Sequence, residues 1–214
     1  MMEHFSNLQG AVIVTELIRT IHDHKQYLSD IDGAIGDGDH GINMNKGFSD
    51  CGKELAGNPG DLTHGFQVLA RILMGNIGGS MGPLYGMFFK AMAGVSAGNE
   101  TIDAVKFGEM LKAAEAKVRE IGGAAPGDKT LLDTLVPAIE AYQTAITNGQ
   151  SFVEALDRMK EAAEQGRDST KDLVAKVGRA SRLGERSRGV IDAGAASCCL
   201  ILLSMADTIK KLIL

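Results

Sequence analysis

Apolar residues recur at three- and four-residue spacing almost everywhere along this 214-residue chain, and no run alternates convincingly with period two. That pattern calls for packed helices and leaves little material for a sheet. Leu8, Val12, Leu17, Ile18 and Ile21 trace one face of a first helix over about 7–26. A second begins near Asp39 or His40, carries Met44 and Phe48 to Leu55, and breaks at Asn58-Pro59-Gly60. Asp61 or Thr63 caps a third, which stops at Gly75 to Gly79, and a fourth covers about 82–97. Thr101 is placed to cap a fifth, to about Ile121, and a sixth spans about 130–147. Ser151-Phe152-Val153-Glu154 has capping-box form and opens a seventh, ending near Gln165. Asp192 caps an eighth to about Leu212.

The chain has no Trp and three Tyr, so its core must come from Leu, Ile, Val, Ala and Met. Against four prolines stand 27 glycines, clustered between the helices. Short connections favour antiparallel neighbours. The expected fold is all-α: one domain over 1–214, an eight-helix antiparallel up-down barrel or bundle. In such a fold every second loop lies at the same end. The loops after helices one, three, five and seven are the glycine-rich, charged ones, so a site is expected at that end.

A net charge of −5 and pI near 5.5 argue against nucleic acid, which calls for a basic patch. Met1-Met2-Glu3-His4-Phe5 carries an acid and no apolar run, unlike a signal peptide. The most apolar segment, Ala195 to Met205, is about half of the ~20 residues that span a bilayer, and reads as a buried helix rather than a membrane anchor. Cys51, Cys198 and Cys199 lack disulfide or Cys-x-x-Cys metal spacing, which fits a reducing cytoplasm.

Within Asp32-Gly33-Ala34-Ile35-Gly36-Asp37-Gly38-Asp39-His40-Gly41, three carboxylates fall inside eight residues. At 4 Å and an effective dielectric of about 20, each like-charged pair repels by roughly 4 kcal/mol, so a tight loop needs a cation. A hard divalent ion with oxygen ligands suits it, and Mg²⁺ commonly completes its shell with phosphate. An EF-hand is disfavoured: counting from Asp37, the fifth residue is Gly41 and the twelfth is Phe48. The plainer alternative is that Asp37 and Asp39 cap the second helix and Asp32 is a solvated turn residue. Gly75-Asn76-Ile77-Gly78-Gly79-Ser80-Met81-Gly82 runs into a helix start, either a ready anion site or a close-packed turn. Gly122 to Thr130 superficially resembles a Walker A loop, but it has one residue too many before Lys129 and follows a helix, so it fits only as a pocket wall. Arg179, Arg182, Arg186 and Arg188 fall within ten residues and suit phosphate or carboxylate contacts, although solvated surface charge explains any one of them.

Four stretches together resemble the L subunit of dihydroxyacetone kinase, its nucleotide-binding half: Ile35 to Phe48, Gly78 to Gly86, Pro126 to Leu131 and Gly178 to Ser187. They stand in family order and spacing, and the resemblance covers essentially the whole chain. It implies a helical barrel binding ADP or ATP at one end through two Mg²⁺ ions held by Asp32, Asp37 and Asp39. Nucleotide contacts are implied at His40, Gly41, Ile42, Asn43, Ser80, Met81, Gly122, Leu131, Arg179, Asp192, Ala193 and Gly194. It further implies phosphoryl transfer to dihydroxyacetone held by a separate K subunit, in a homodimer or a heterotetramer with K. A phosphohistidine protein of the phosphotransferase system would recharge bound ADP. Met81 stands where the family usually has Ser, Arg182 where Tyr is common, and Val190 and Ala193 depart from the usual His and Pro. Alternatives are an ATP-using kinase subunit for another short ketose or a carrier-held acid, and a nucleotide-binding regulator.

Overall fold

Side-chain caps set where several helices begin. Asp61, Asp103 and Asp192 each accept a backbone N–H of their helix's first turn, from His64, Lys106 and Ala195, all at 2.8 Å. Ser151 and Glu154 close the expected capping box. In the computed structural model, which describes residues 3–213, the elements run β1 (His4–Ser6), α1 (Ala11–Asp23), α2 (Lys25–Ile35), α3 (His40–Gly57), α4 (Leu62–Asn76) and α5 (Met81–Ser96). They continue with β2 (Thr101–Asp103), α6 (Ala104–Gly122), α7 (Leu132–Thr147), α8 (Phe152–Ser169) and α9 (Ala193–Leu212). Two 3₁₀ segments, Thr170–Asp172 and Ala180–Ser187, fill the last connection.

The helices close a ring. α1 packs on α3, and contact passes in order through α4, α5, α6, α7 and α8 to α9, which returns to α1. α2 stands outside that order, against α3 and α9. Leu17, Phe48, Phe89, Leu111, Leu135, Leu156 and Leu202 lie fully buried along the ring's interior. α9 is long and apolar enough to cross a membrane by length and composition, yet 67% of its most apolar stretch is buried within the ring.

The all-α architecture stands, with four differences in detail. The first expected helix is two: it breaks at His24, whose Nδ1 lies 2.8 Å from the Thr20 carbonyl, and resumes as α2. α2 carries the chain to Ile35, so Asp32 sits in a helical turn and not in a loop. Thr101 caps nothing; it pairs with Ser6 in a two-stranded antiparallel sheet, and Asp103 is the cap. With three residues a strand, period-two alternation has no length in which to appear. The sixth and seventh expected helices shift slightly, α7 starting at Leu132 and α8 running on to Ser169.

α7 tolerates Pro137 inside it. Proline has no N–H to give the carbonyl of Asp133, four residues earlier. Gly166 of α8 presses there: a Cβ on Gly166 would lie 2.3 Å from that carbonyl oxygen and 3.0 Å from Thr134 Cα, both backbone. Gly166→Ala is therefore expected to cost about 2–3 kcal/mol in urea denaturation. Gly94→Ala, at an exposed helical glycine with nothing within 4 Å, should instead stabilise by about 0.5–1 kcal/mol.

Candidate nucleotide and cation site

Alternate connections of an antiparallel ring gather at one end, and here they surround a cleft of ≈ 430 Å³. The end of α2 and the 36–39 turn form one wall, the α4–α5 connection the second, the α6–α7 loop the third, and residues 177–180 with 192–194 the fourth.

One carboxylate oxygen from each of Asp32, Asp37 and Asp39 lies within 4.8 Å of the other two. Gly38, at φ +75°, allows the tight reversal that brings Asp39 back toward Asp32. Gly36 leaves room: a Cβ there would meet Asp32 Oδ1 at 2.6 Å. Asp39 occupies the N-cap position of α3, yet its side chain makes no capping bond, so the cap alternative does not describe it. Asp32 Oδ2 accepts the His40 N–H at 3.3 Å. The Arg179 guanidinium pairs with Asp37 and stands 3.6 Å from Asp39, which supplies the positive charge that the acidic turn requires. These side chains are 40–55% exposed. Such a water-screened pair is worth at most about 1 kcal/mol and yields readily to a stronger cation.

His40 opens α3 at the cleft floor and is buried. Its Nε2 lies 2.9 Å from Ser197 Oγ, which is 2.6 Å from the Tyr85 hydroxyl. Tyr85 in turn donates to the Gly194 carbonyl at 3.1 Å, tying α3, α5 and α9 beneath the site. Burial holds the His40 imidazole down at about 4, against the opposing pull of Asp32. Gly41, Ile42 and Asn43 do not line the cleft. Gly41 is where α3 meets α2, since a Cβ on it would lie 1.9 Å from the Lys25 carbonyl oxygen, and Ile42 is 65% exposed.

At the α4–α5 connection, Ser80 and Met81 line the cleft at a helix start that has no side-chain cap. Gly79 turns there at φ +69°, and a side chain on Gly82 would strike the Ile77 carbonyl at 2.4 Å. Uncapped amides at a helix N-terminus favour an anion. Gly122 and Leu131 line the third wall; Arg179, Asp192, Ala193 and Gly194 line the fourth. Asp192 caps α9 while burial pushes its carboxyl up to about 6. Arg182, Arg186 and Arg188 lie outside the lining. Arg188 pairs with Glu185 at 3.1 Å.

Sequence reasoning missed Lys129 and Asp133. Asp133 accepts the backbone N–H of Gly127 at 2.5 Å and of Thr130 at 2.6 Å, folding the third wall onto the start of α7. Lys129 is 2% exposed, with φ +62°, and donates to the carbonyls of Thr170 at 2.6 Å and Val190 at 2.5 Å. A left-handed backbone at a residue with a side chain costs on the order of 1–2 kcal/mol. The available signal was the failed Walker spacing: a lysine after Gly127-Asp128 that phosphate binding did not explain.

A ring of antiparallel helices with an acidic cluster and an uncapped helix start at one end defines an all-α domain built for a cation and an anion together. The chain belongs to the DAK2 domain family, whose profile matches residues 34–207. It is 40% identical over 190 residues to the PEP-dependent dihydroxyacetone kinase 1 ADP-binding subunit DhaL of Listeria innocua, covering 88% of this chain and 89% of that one. It is 35% identical over 190 residues to the PTS-dependent dihydroxyacetone kinase ADP-binding subunit DhaL of Lactococcus lactis, covering 88% and 91%. The crystal structure of the dihydroxyacetone kinase of C. freundii superposes with a TM-score of 0.68 at 25% identity, over 92% of this chain and 34% of that one. The chain thus spans about a third of that enzyme. The same enzyme in complex with AMP-PNP and Mg²⁺ shares the fold at a TM-score of 0.69.

The His40 environment makes a pH prediction. A histidine whose folded pKa is depressed stabilises the fold above its unfolded value of about 6.5, and that contribution is lost as pH falls toward about 4. Ring proton shifts followed by NMR should place the His40 midpoint near 4, with unfolding free energy falling through that window. A midpoint near 6.5 would contradict the buried placement.

Proposed function

We propose that this chain is the nucleotide-holding subunit of a dihydroxyacetone kinase, active with a separate K subunit that carries the ketose. One observation carries the reading: three converging carboxylates and an uncapped helix N-terminus line the same cleft, in a chain 40% identical over 88% of its length to a relative named an ADP-binding subunit.

The residues fit the proposed groups. Three carboxylates without a nitrogen or sulfur donor form a hard-oxygen set suited to Mg²⁺. Asp32, Asp37 and Asp39 would hold two such ions, with nucleotide phosphates completing their shells. When bound, Mg²⁺ neutralises charge on the transferring phosphoryl group. The chain's own contributions are positional. The amides at Ser80 and Met81 face the phosphate end. Arg179, exposed and, among the described residues, ion-paired only with carboxylates that the metal would claim, is free to turn to a phosphate oxygen. Gly122, Leu131 and the Asp192–Gly194 backbone wall the base end. Gly41 serves as the α2–α3 packing contact, and Ile42 and Asn43 lie outside the cleft lining. Tyr85 and Ser197 hold the neutral His40 beneath the site without adding a charge that would oppose Mg²⁺.

The donor in this reading is a phosphohistidine protein of the phosphotransferase system, with ADP retained as a cofactor in a cytoplasmic complex. The name of the Lactococcus relative supports that choice over free ATP. Arg182 and Arg188, exposed on the α8–α9 connection, are available to acidic groups of the K subunit. Denaturing the purified protein and identifying the released nucleotide tests the donor. Stoichiometric ADP surviving gel filtration is expected; an empty protein that turns over ATP with a K subunit would replace this reading with an ATP-dependent one. Asp37→Asn should weaken Mg²⁺-dependent nucleotide retention by roughly 10–100-fold with helicity by circular dichroism unchanged, since the variant removes one of the three carboxylate charges that would hold the ion.

A further inference from the structure

Lys129 lies in the cleft wall, yet its amine points away from the cavity and into the protein. Three backbone carbonyls take its protons: Thr170 at 2.6 Å, Val190 at 2.5 Å and Leu173 at 3.3 Å. All three belong to the connection between α8 and α9, which supplies the fourth wall of the cleft. The residue is 2% exposed and keeps its left-handed backbone although glycine would be the unstrained choice there. A buried ammonium seated among carbonyls, rather than against a carboxylate, is an arrangement that a surface lysine never needs.

The contacts around it run in one direction. Thr170, whose carbonyl Lys129 holds, uses its hydroxyl to accept the Asp192 N–H at 3.0 Å. Val190 lies two residues before Asp192, which caps α9 and begins the Asp192–Gly194 stretch of the cleft. On the other side, Asp128 accepts the Lys176 N–H through its carbonyl at 3.1 Å and pairs with the Lys176 amine at 3.0 Å. Lys129 therefore grips the α8–α9 connection near both of its ends, at Thr170 and Val190, and Asp128 grips it between them at Lys176, three residues before Arg179.

We propose that Lys129 is a positioning residue of the nucleotide site: its ammonium is a tethered cation that fixes the α8–α9 connection, and with it the Asp192–Gly194 backbone, against the α6–α7 wall. The proposal rests on the nucleotide-binding reading. It predicts that the nucleotide loses affinity when the amine is removed, while the acidic cation cluster, built on α2 and α3, is unaffected.

The test uses Lys129→Gly, which relieves the left-handed strain while deleting the amine, and Lys129→Met, which keeps an apolar stem. Isothermal titration with Mg-ADP should show the dissociation constant raised about thirtyfold in both, the scale of one lost charged hydrogen bond. Mn²⁺ binding alone should stay within threefold of the unaltered protein. Added n-butylammonium, which replaces the missing side chain in length and charge, should restore most of the affinity of Lys129→Gly and none in Lys129→Met, where the stem fills the channel. Wild-type affinity in both variants, or a loss in Lys129→Gly that n-butylammonium leaves untouched, would overturn the proposal. If the unaltered protein binds no nucleotide, the functional reading fails instead. Amide hydrogen exchange at residues 190–195 then still decides the role of Lys129: faster exchange in Lys129→Gly supports the tether, and unchanged exchange removes it.

Discussion

Closure of the ring by α9 is the constraint on which the rest depends. α9 packs between α8 and α1, and its buried face (Ala195, Ala196, Cys199, Leu202, Met205, Ile209) joins the two chain ends into one core. Once the ring is closed and neighbours run antiparallel, alternate connections have no choice but to gather at one end. The cleft is a consequence of that parity, not of any one loop. The opposite end is sealed by different means. There the β1–β2 pair, with Phe5 opposite Ile102, joins the buried Asn7, whose side chain reaches Thr63 at 3.0 Å and the Asn99 carbonyl at 2.8 Å. One end is stapled by satisfied hydrogen bonds, which frees the other to carry unsatisfied charge and uncapped amides.

What the sequence disclosed follows physical range. Helices were legible because their periodicity and caps are local: Ser151 with Glu154, Asp61 and Asp192 act within three residues of themselves. Asp32, Asp37 and Asp39 were legible as a group because charge repulsion within eight residues demands a compensating cation in any compact fold. The break at His24 was not legible, since the apolar spacing runs on across it and neither proline nor glycine marks it. Nor was the Thr101–Asp103 strand, which exists only because His4–Ser6 lies beside it. Gly41 shows the limit most clearly. It sits within the motif that pointed to the nucleotide, but its missing side chain serves helix packing.

The cleft divides its positive charge between two residues of opposite character. Arg179 is exposed, held by screened ion pairs to Asp37 and Asp39, and its guanidinium loses little when it leaves them. Lys129 is buried and bonded to the carbonyls of Thr170 and Val190, so it cannot leave without exposing a desolvated gap. The first is suited to exchange with a metal and a phosphate. The second is suited to holding geometry. Phosphoryl transfer asks for both, because its catalysis is mostly positioning and charge neutralisation with little covalent work for the protein.

Beneath the site, burial acts on two titratable groups. It pushes the His40 imidazole down to about 4, toward its neutral form, and the Asp192 carboxyl up to about 6. Burial thus keeps His40 from adding a fixed positive charge beside the acidic cluster, while Asp192 caps α9 through its carboxyl. Hydrogen bonds then do the positioning: His40 to Ser197, Ser197 to Tyr85, and Asp192 to Ala195. In the proposed reading, net charge is left to the groups that would change partners, Arg179 and the three aspartates. The acidic turn tolerates its own repulsion because the fold places its compensation across the cleft, on a separate segment, where a ligand can take its place.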